Sequence, residues 1–201
     1  MGQLILIRHG ETDKNLKKIL HAVNDAQTLN VTGREQIGKT AKRLKELSPV
    51  KIYTSTEKRA VESAQILAQK LGIPMEEMDG IQERNCGIFT GKSWDEAKKV
   101  LDSMALKERY DYVPANGESW RIFETRLKNA VRKIIKENEN KTVVVVTHGG
   151  AIKALIPLLL KVSKEESFKH VPGNASMTIF DFDDKGFNHI AINDTSHLSK
   201  K

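Results

Sequence analysis

The sequence predicts an α/β fold, a three-layer α/β/α sandwich with a mostly parallel central sheet and one antiparallel edge strand at the C-terminus. Three observations carry this. Short apolar runs, "LILI" and "VVVV" the clearest, alternate with stretches whose apolar residues recur at helical spacing. Runs that are apolar at every position mark strands buried on both faces, as in a parallel sheet covered by helices. Near the C-terminus two further runs flank "DDKG", which predicts an antiparallel hairpin.

The elements follow in order. Gln3 to Ile7 is predicted as the first strand. Thr32 to Leu47 is predicted as a helix, with Thr32 and Glu35 as a capping box and Ile37, Ala41, Leu44 and Leu47 inward. Val50 to Tyr53 is a short strand. The next helix runs from about Thr56 to Leu71 with Ala60, Ala64, Leu67, Ala68 and Leu71 on one face. "LGIP" ends it and leads into an extended piece, Pro74 to Met78. Ser119 to Asn138 is the longest helix, burying Phe123, Leu127, Ala130, Val131, Ile134 and Ile135. Thr142 to Val146 is the clearest strand, and "GGAIKALIPLLL" is a helix kinked by Pro157. Met177 to Phe182 and Phe187 to Ile192 form the hairpin, and "SHLSKK" reads as a loose tail.

A length of 201 residues fits a single domain, 1–201, able to bury a core without disulfide or metal staples. Residues 84–118 break the pattern. Apart from a short helix near Ser93 to Leu101 they show little periodicity, as expected of a lid or binding loop. There is no internal repeat. The single cysteine, Cys86, cannot form an internal disulfide. No apolar run reaches membrane-spanning length, and the N-terminus lacks a signal-peptide pattern, so the expected location is the cytoplasm. The net charge of +7 suits an anionic small-molecule partner. Nucleic acid is not expected, because the basic residues are dispersed and aromatics make up only 5%. Monomer and homodimer both stay open.

Two strands end alike. "LILI" runs into Arg8-His9-Gly10 and "VVVV" into Thr147-His148-Gly149-Gly150. Ligands of open parallel sheets sit beyond the carboxyl ends of the strands, so both histidines are predicted to share one edge. A glycine after each lets backbone approach a ligand closely. "KIYTSTEKRA" feeds the same edge and carries Arg59 into the start of a helix. Two guanidiniums and a helix dipole would then converge on an anion.

"CGIFTGKS" fits neither of two phosphate motifs. Gly87 and Gly91 enclose three residues where a P-loop needs four, and no apolar strand precedes them. Cys86 is followed six residues on by Lys92, where a cysteine-dependent phosphatase needs arginine. No metal site is expected, since His21, His170, His189 and His197 lack ligand spacing with acidic or cysteine partners. His21 reads as a surface-loop histidine near enough to touch substrate.

"RHGET" with Asn15 beyond it, "TSTEKRAVESA", "ERNCGIFTGKS", "PANGES", "VTHGGAI" and "GNASMTIF" resemble, in order, the motifs of the histidine phosphatase (phosphoglycerate mutase-like) superfamily. The resemblance covers about residues 3–195. It implies that His9 is a nucleophile that becomes phosphorylated, and that Arg8, Arg59 and a protonated His148 complete the phosphate pocket. Asn15 and Gly149 would add donors, and Glu83 would be the proton donor. The implied activity is metal-independent phosphomonoester hydrolysis without a cofactor. Neutral imidazole suits the role, being a competent nucleophile near pH 7. His21, Arg84 and Lys92 are candidate substrate contacts, and Trp94, Lys98, Lys99, Arg109, Tyr110 and Tyr112 candidate lid residues.

Two alternatives stay open. A mutase would return the phosphoryl group to a bound acceptor and would need 2,3-bisphosphoglycerate. The 65-residue interval from Glu83 to His148 is shorter than in the mutases, which favours hydrolysis, although "ERNCG" resembles the mutase stretch at Arg84. A member that binds phosphate without turnover is the other.

Overall fold

Alternation along the first strand divides the core in two. β1 (Gly2–Arg8) sends Leu4 and Leu6 to one side of the sheet and Ile5 and Ile7 to the other, and all four are fully buried. The computed structural model describes residues 1–199. The remaining strands are β2 (Lys51–Thr54), β3 (Met75–Glu77), β4 (Thr142–Thr147), β5 (Met177–Asp183) and β6 (Gly186–Asp194). Their order is β3-β2-β4-β1-β5-β6. β3, β2, β4 and β1 are parallel, while β5 runs against both β1 and β6. The antiparallel element is thus the β5–β6 hairpin at the C-terminal edge.

Seven helices accompany the sheet among the described residues: α1 (Asp13–Leu16), α2 (Val31–Lys45), α3 (Lys58–Leu71), α4 (Trp94–Asp102), α5 (Leu106–Asp111), α6 (Trp120–Glu137) and α7 (Gly149–Leu160). α2 and α3 bury Ile37, Leu44, Ala60, Ala64 and Leu67 against Ile5, Ile7, Val144 and Val146. α6 and α7 bury Phe123, Leu127, Val131, Ile152 and Leu155 against Leu4, Leu6, Val143 and Val145. Strands buried on both faces must be apolar at consecutive positions, which accounts for "LILI" and "VVVV".

Local chemistry sets the helix ends. Gly72, at φ 68°, closes α3 in the left-handed conformation that glycine adopts without steric cost. Ser119 caps α6 through the Ile122 N–H, at 3.1 Å. α2 departs from expectation: Asn30, not Thr32, is its cap, accepting the Gly33 N–H at 2.8 Å. Thr32 therefore lies within the first turn, and the Thr32–Glu35 capping box does not form. Pro157 lies within α7, where it removes one ladder donor.

Two other expectations need correction. Beside the expected short helix, α4, the 84–118 excursion holds the 3-10 turn Gly87–Phe89 and α5, and the rest of it is irregular. Ser93 and Glu96 form the capping box of α4. α5 is too short to show a period, but it buries Tyr110 in the α6–α7 core. The tail is also not loose. Ser196–Leu198 form a 3-10 turn, and His197 Nε2 lies 3.0 Å from Thr40 Oγ1 while Lys39 Nζ donates to the Leu198 carbonyl. Residues 200–201 of that predicted tail lie outside the described residues. No helix among the described residues is long and apolar enough to cross a membrane.

Candidate active site

Three parallel neighbours, β2, β4 and β1, release their chains at one level. The ladder pairs Arg8 with Thr147 and Thr54 with Val146. It continues one step further, with the His9 N–H on the Thr147 carbonyl and the Ser55 N–H on the Val146 carbonyl. His9, His148 and Ser55 are thereby held at one edge, each in a fixed backbone.

His9 is 2% exposed. Its Nδ1 lies 2.7 Å from the Gly10 carbonyl oxygen, an acceptor only, so Nδ1 carries the proton. Nε2 is then an unprotonated acceptor, and it receives the Arg59 Nε–H at 3.2 Å. Burial first, then the charges of Arg59 and Arg8, hold the ring well below its ordinary titration range. Neutral imidazole with an unprotonated Nε2 is the nucleophilic form, once the Arg59 Nε–H yields that lone pair to phosphorus.

Arg59, at the start of α3, is 1% exposed and paired with the equally buried Glu57. Arg8 donates Nη1 to the Pro172 carbonyl at 2.7 Å. His148 places Nε2 2.8 Å from Ser55 Oγ, and its ring meets His9 edge to face with centroids 5.2 Å apart. Three buried nitrogens here have no partner among the described residues: Arg8 Nε, Arg59 Nη1 and His148 Nδ1. Buried polar groups are rarely left so, and three at one strand-end edge make a ready set of contacts for an anion.

Glu83 completes the floor. Its Oε1 accepts the Arg84 N–H at 2.8 Å and its Oε2 the Gly150 N–H, in the first turn of α7, at 2.9 Å. A Cβ at Gly150 would collide with Glu83 Oε1, so only glycine admits the carboxylate there. Arg126 of α6 fixes the backbone beneath, donating to the carbonyls of Gly80, Gln82 and Glu83 while pairing with Glu118 at 2.6 Å. The floor opens into a cavity of about 670 Å³.

A family model, that of the histidine phosphatase superfamily (branch 1), matches residues 4–195. The chain belongs to this superfamily. It is 33% identical over 201 residues to an uncharacterized phosphatase, PhoE, of Bacillus subtilis (strain 168), covering 99% of this chain and 98% of that one. It is 31% identical over 203 residues to a metal-independent phosphoserine phosphatase of Arabidopsis thaliana, covering 98% and 83%. Among solved structures, a phosphoserine phosphatase mutant from Entamoeba histolytica in complex with phosphoserine superposes with a TM-score of 0.84 at 29% identity, covering 99% and 100%. These relatives support a phosphatase.

In this superfamily member the expected floor residues Arg8, His9, Arg59, Glu83, His148 and Gly149 do come together. Burial, then Arg59 and His9, hold the His148 ring well below the ordinary histidine range in the ligand-free protein. Asn15 borders the cavity, its Oδ1 accepting from the Thr12 N–H and from Asn174 Nδ2. His21 is not on the surface. Its side chain is 8% exposed, its Nδ1 is 3.2 Å from Asp25 Oδ2, and its ring stands edge-on to His9. Burial and Arg59 lower it to about 4. Arg84 also borders the cavity, tied by Nε to the Glu118 carbonyl at 3.0 Å.

Lys92 does not reach the cavity; its side chain is exposed and its carbonyl bonds the Leu20 N–H. Of the lid candidates, Trp94, Lys98 and Arg109 line the cavity, whereas Lys99, Tyr110 and Tyr112 do not. Burial pushes the Cys86 thiol up to about 11, so it is protonated at neutral pH. Sequence reasoning missed Ser55, Glu57 and Asn174 as site residues. Asn174 Nδ2 bridges the His9 carbonyl, at 3.2 Å, and Asn15 Oδ1, at 3.0 Å. Ser55 and Glu57 stood within "TSTEKRA" and Asn174 within "GNASMTIF", where polar residues directly adjoin strands ending at or starting from this edge.

The depressed histidines make stability pH-dependent. His9 and His148 bind protons more weakly folded than unfolded, where histidine titrates near 6.5. Their contribution is complete above about pH 6.5 and falls below it, as the unfolded chain takes up protons that the folded chain excludes. Glu57, raised by burial, acts oppositely. These two histidine rings, and His21 with them, cost stability progressively as pH falls from about 7.5 to about 5.5. The melting temperature is expected to fall over that interval, and less steeply in His148→Asn. A flat or rising profile would contradict this assignment.

Proposed function

We propose that this protein hydrolyses small phosphomonoesters through a phosphohistidine on His9. The observation that carries the reading is the set of three unpartnered buried nitrogens, of Arg8, Arg59 and His148, grouped around the unprotonated Nε2 of His9. The ester's phosphoryl oxygens would take these donors. Nε2 would attack phosphorus as the bond to the leaving oxygen breaks, with the Gly10 carbonyl holding the Nδ1 proton on the developing imidazolium. Charge on the equatorial oxygens is met by two fixed guanidiniums, and binding of a phosphate dianion favours a proton on His148. Protein cations thus supply the charge, and neither a metal nor a cofactor is invoked.

Glu83 delivers a proton to the leaving alkoxide, then as carboxylate takes one from the water that cleaves the phosphorus–nitrogen bond. Its two backbone donors aim it at the floor. Glu83→Gln is expected to slow alkyl phosphates, whose alkoxides need the proton, far more than p-nitrophenyl phosphate, whose phenolate does not. Equal slowing of both would remove Glu83 from the acid role.

The reading is tested with p-nitrophenyl phosphate and a chelator between about pH 5 and 8. Hydrolysis should persist, and acid-labile, alkali-stable phosphoprotein should be trapped on wild type and not on His9→Ala. Absence of turnover, with phosphate bound equally by both proteins, would leave a binding protein. Conversion of 3-phosphoglycerate to 2-phosphoglycerate faster than phosphate release, stimulated by 2,3-bisphosphoglycerate, would make the protein a mutase.

A further inference from the structure

Among the described residues with positive φ other than glycine, Ala175, at 57°, is the one that is buried. Left-handed backbone is unfavourable for alanine, which has no polar side chain to bond locally, so its surroundings must hold it there. Ala175 lies just before β5, against the catalytic edge. Its N–H is 3.0 Å from the Arg8 carbonyl oxygen and 3.2 Å from that of His9, and so spans the two residues.

The residues before it reach the same pair. Asn174 Nδ2 donates to the His9 carbonyl at 3.2 Å, and the Pro172 carbonyl accepts Arg8 Nη1 at 2.7 Å. Residues 172–175 therefore grip the Arg8 side chain and the carbonyls of both Arg8 and His9.

The end of the chain grips residues 172–175 in turn. At the end of β6, Asn193 Oδ1 accepts the Gly173 N–H at 2.7 Å, and Asn193 Nδ2 donates to the Val171 carbonyl at 3.3 Å. Four residues on, His197 Nε2 lies 3.1 Å from the Ala175 carbonyl oxygen and 3.0 Å from Thr40 Oγ1. A carbonyl only accepts, so Nε2 carries the ring proton and donates it. Burial holds this ring below the ordinary histidine range, so at neutral pH that proton is its only one. Thr40 Oγ1 also comes within 3.3 Å of the Ala175 carbonyl, but its hydroxyl is nearer the Gln36 carbonyl, at 3.0 Å. His197 is thus the main donor to Ala175. The turn that presents it has anchors of its own, the Ser196 N–H on Asp194 Oδ1 at 2.9 Å and Lys39 Nζ on the Leu198 carbonyl at 2.8 Å.

We propose that His197 is a positioning residue for the reaction: by holding the Ala175 carbonyl it keeps residue 175 left-handed, with one N–H on the Arg8 and His9 carbonyls, and so fixes the nucleophile against the anion donors. Asn193 secures the other end of the same segment. The kinetic form of this proposal rests on the phosphatase reading; its structural form does not.

Amide hydrogen exchange and steady-state kinetics, both on the full chain, test the two forms. His197→Leu removes the donor and keeps an apolar filling, while His197→Gln keeps an N–H at similar reach. In His197→Leu the Ala175 amide is expected to exchange about tenfold faster or more, with the amides of Ile5 and Val144 unchanged in the sheet core. Arg59 and His148 keep their own supports in that variant, and Arg8 keeps the Pro172 carbonyl. For p-nitrophenyl phosphate, kcat should therefore fall about ten- to hundredfold while KM stays within about threefold. His197→Gln should bring both readings back to within about threefold of wild type. Ala175 exchanging at the wild-type rate in His197→Leu overturns the proposal. Equal acceleration at Ala175, Ile5 and Val144 also overturns it, by making His197 a stability residue. A released Ala175 with kcat unchanged, or a loss in His197→Gln as large as in His197→Leu, would remove the positioning role. If wild type hydrolyses no ester, the phosphatase reading falls, and local release of Ala175 in His197→Leu still supports the structural form.

Discussion

His9→Ala is expected to lower turnover of p-nitrophenyl phosphate by about 10⁴-fold or more. The magnitude follows from position. His9 offers the unprotonated Nε2 around which the free donors of Arg8, Arg59 and His148 are grouped. No serine or cysteine stands in for it: Ser55 Oγ is engaged with His148 and Cys86 keeps its proton. The fold should persist, since the backbone at His9 is held independently by the Thr147 carbonyl and by Asn174 Nδ2. Removing the ring opens space onto the cavity, so added imidazole is expected to restore part of the activity by serving as a diffusible nucleophile. A variant that keeps activity within tenfold of wild type, or wild type from which no phosphoenzyme can be trapped, would show that water attacks directly.

What was legible in the sequence follows from which signals are local. Strands buried on both faces must be apolar at consecutive positions, so β1 and β4 could be read directly. The residues leaving them, Arg8-His9 and Thr147-His148, could then be placed at one edge by the rule for parallel sheets. Arg59 followed because a helix beginning right after a strand puts its first turn at that same edge. Tertiary contacts were not legible in the same way. Nothing near His21 announces that Asp25 and Thr12 fold over it and bury it beside His9. α5 has too few residues for a period, and its burial depends on Tyr110 meeting α6 and α7. Lys92 illustrates the converse: a lysine in a motif that resembles the family's still faces solvent, its backbone carbonyl taken by the Leu20 N–H. Residue type does not report burial either, and burial is the main cause of the lowered titration of His148.

Arg59→Met is expected to destabilise the protein by about 3–5 kcal/mol as well as to abolish phosphate binding. Arg59 and Glu57 are both almost completely buried and paired to each other. Removing the guanidinium leaves a buried carboxylate facing the Glu83 backbone N–H and the repelling Glu83 charge. Glu57 is already raised by burial, and without Arg59 it rises further, so protonation will spare part of the loss. The destabilisation should therefore be larger at pH 8 than at pH 5. This separates the two jobs of the arginine. Adding Glu57→Gln to Arg59→Met removes the stranded charge and is expected to recover most of the stability measured by urea unfolding. It cannot recover function, because Nε no longer contacts His9 Nε2 and the free Nη1 donor is gone. Inorganic phosphate should compete for the site in wild type and fail to do so in either variant. If the double variant regained activity to within tenfold of wild type, Arg59 would be scaffolding for Glu57 rather than part of the anion site.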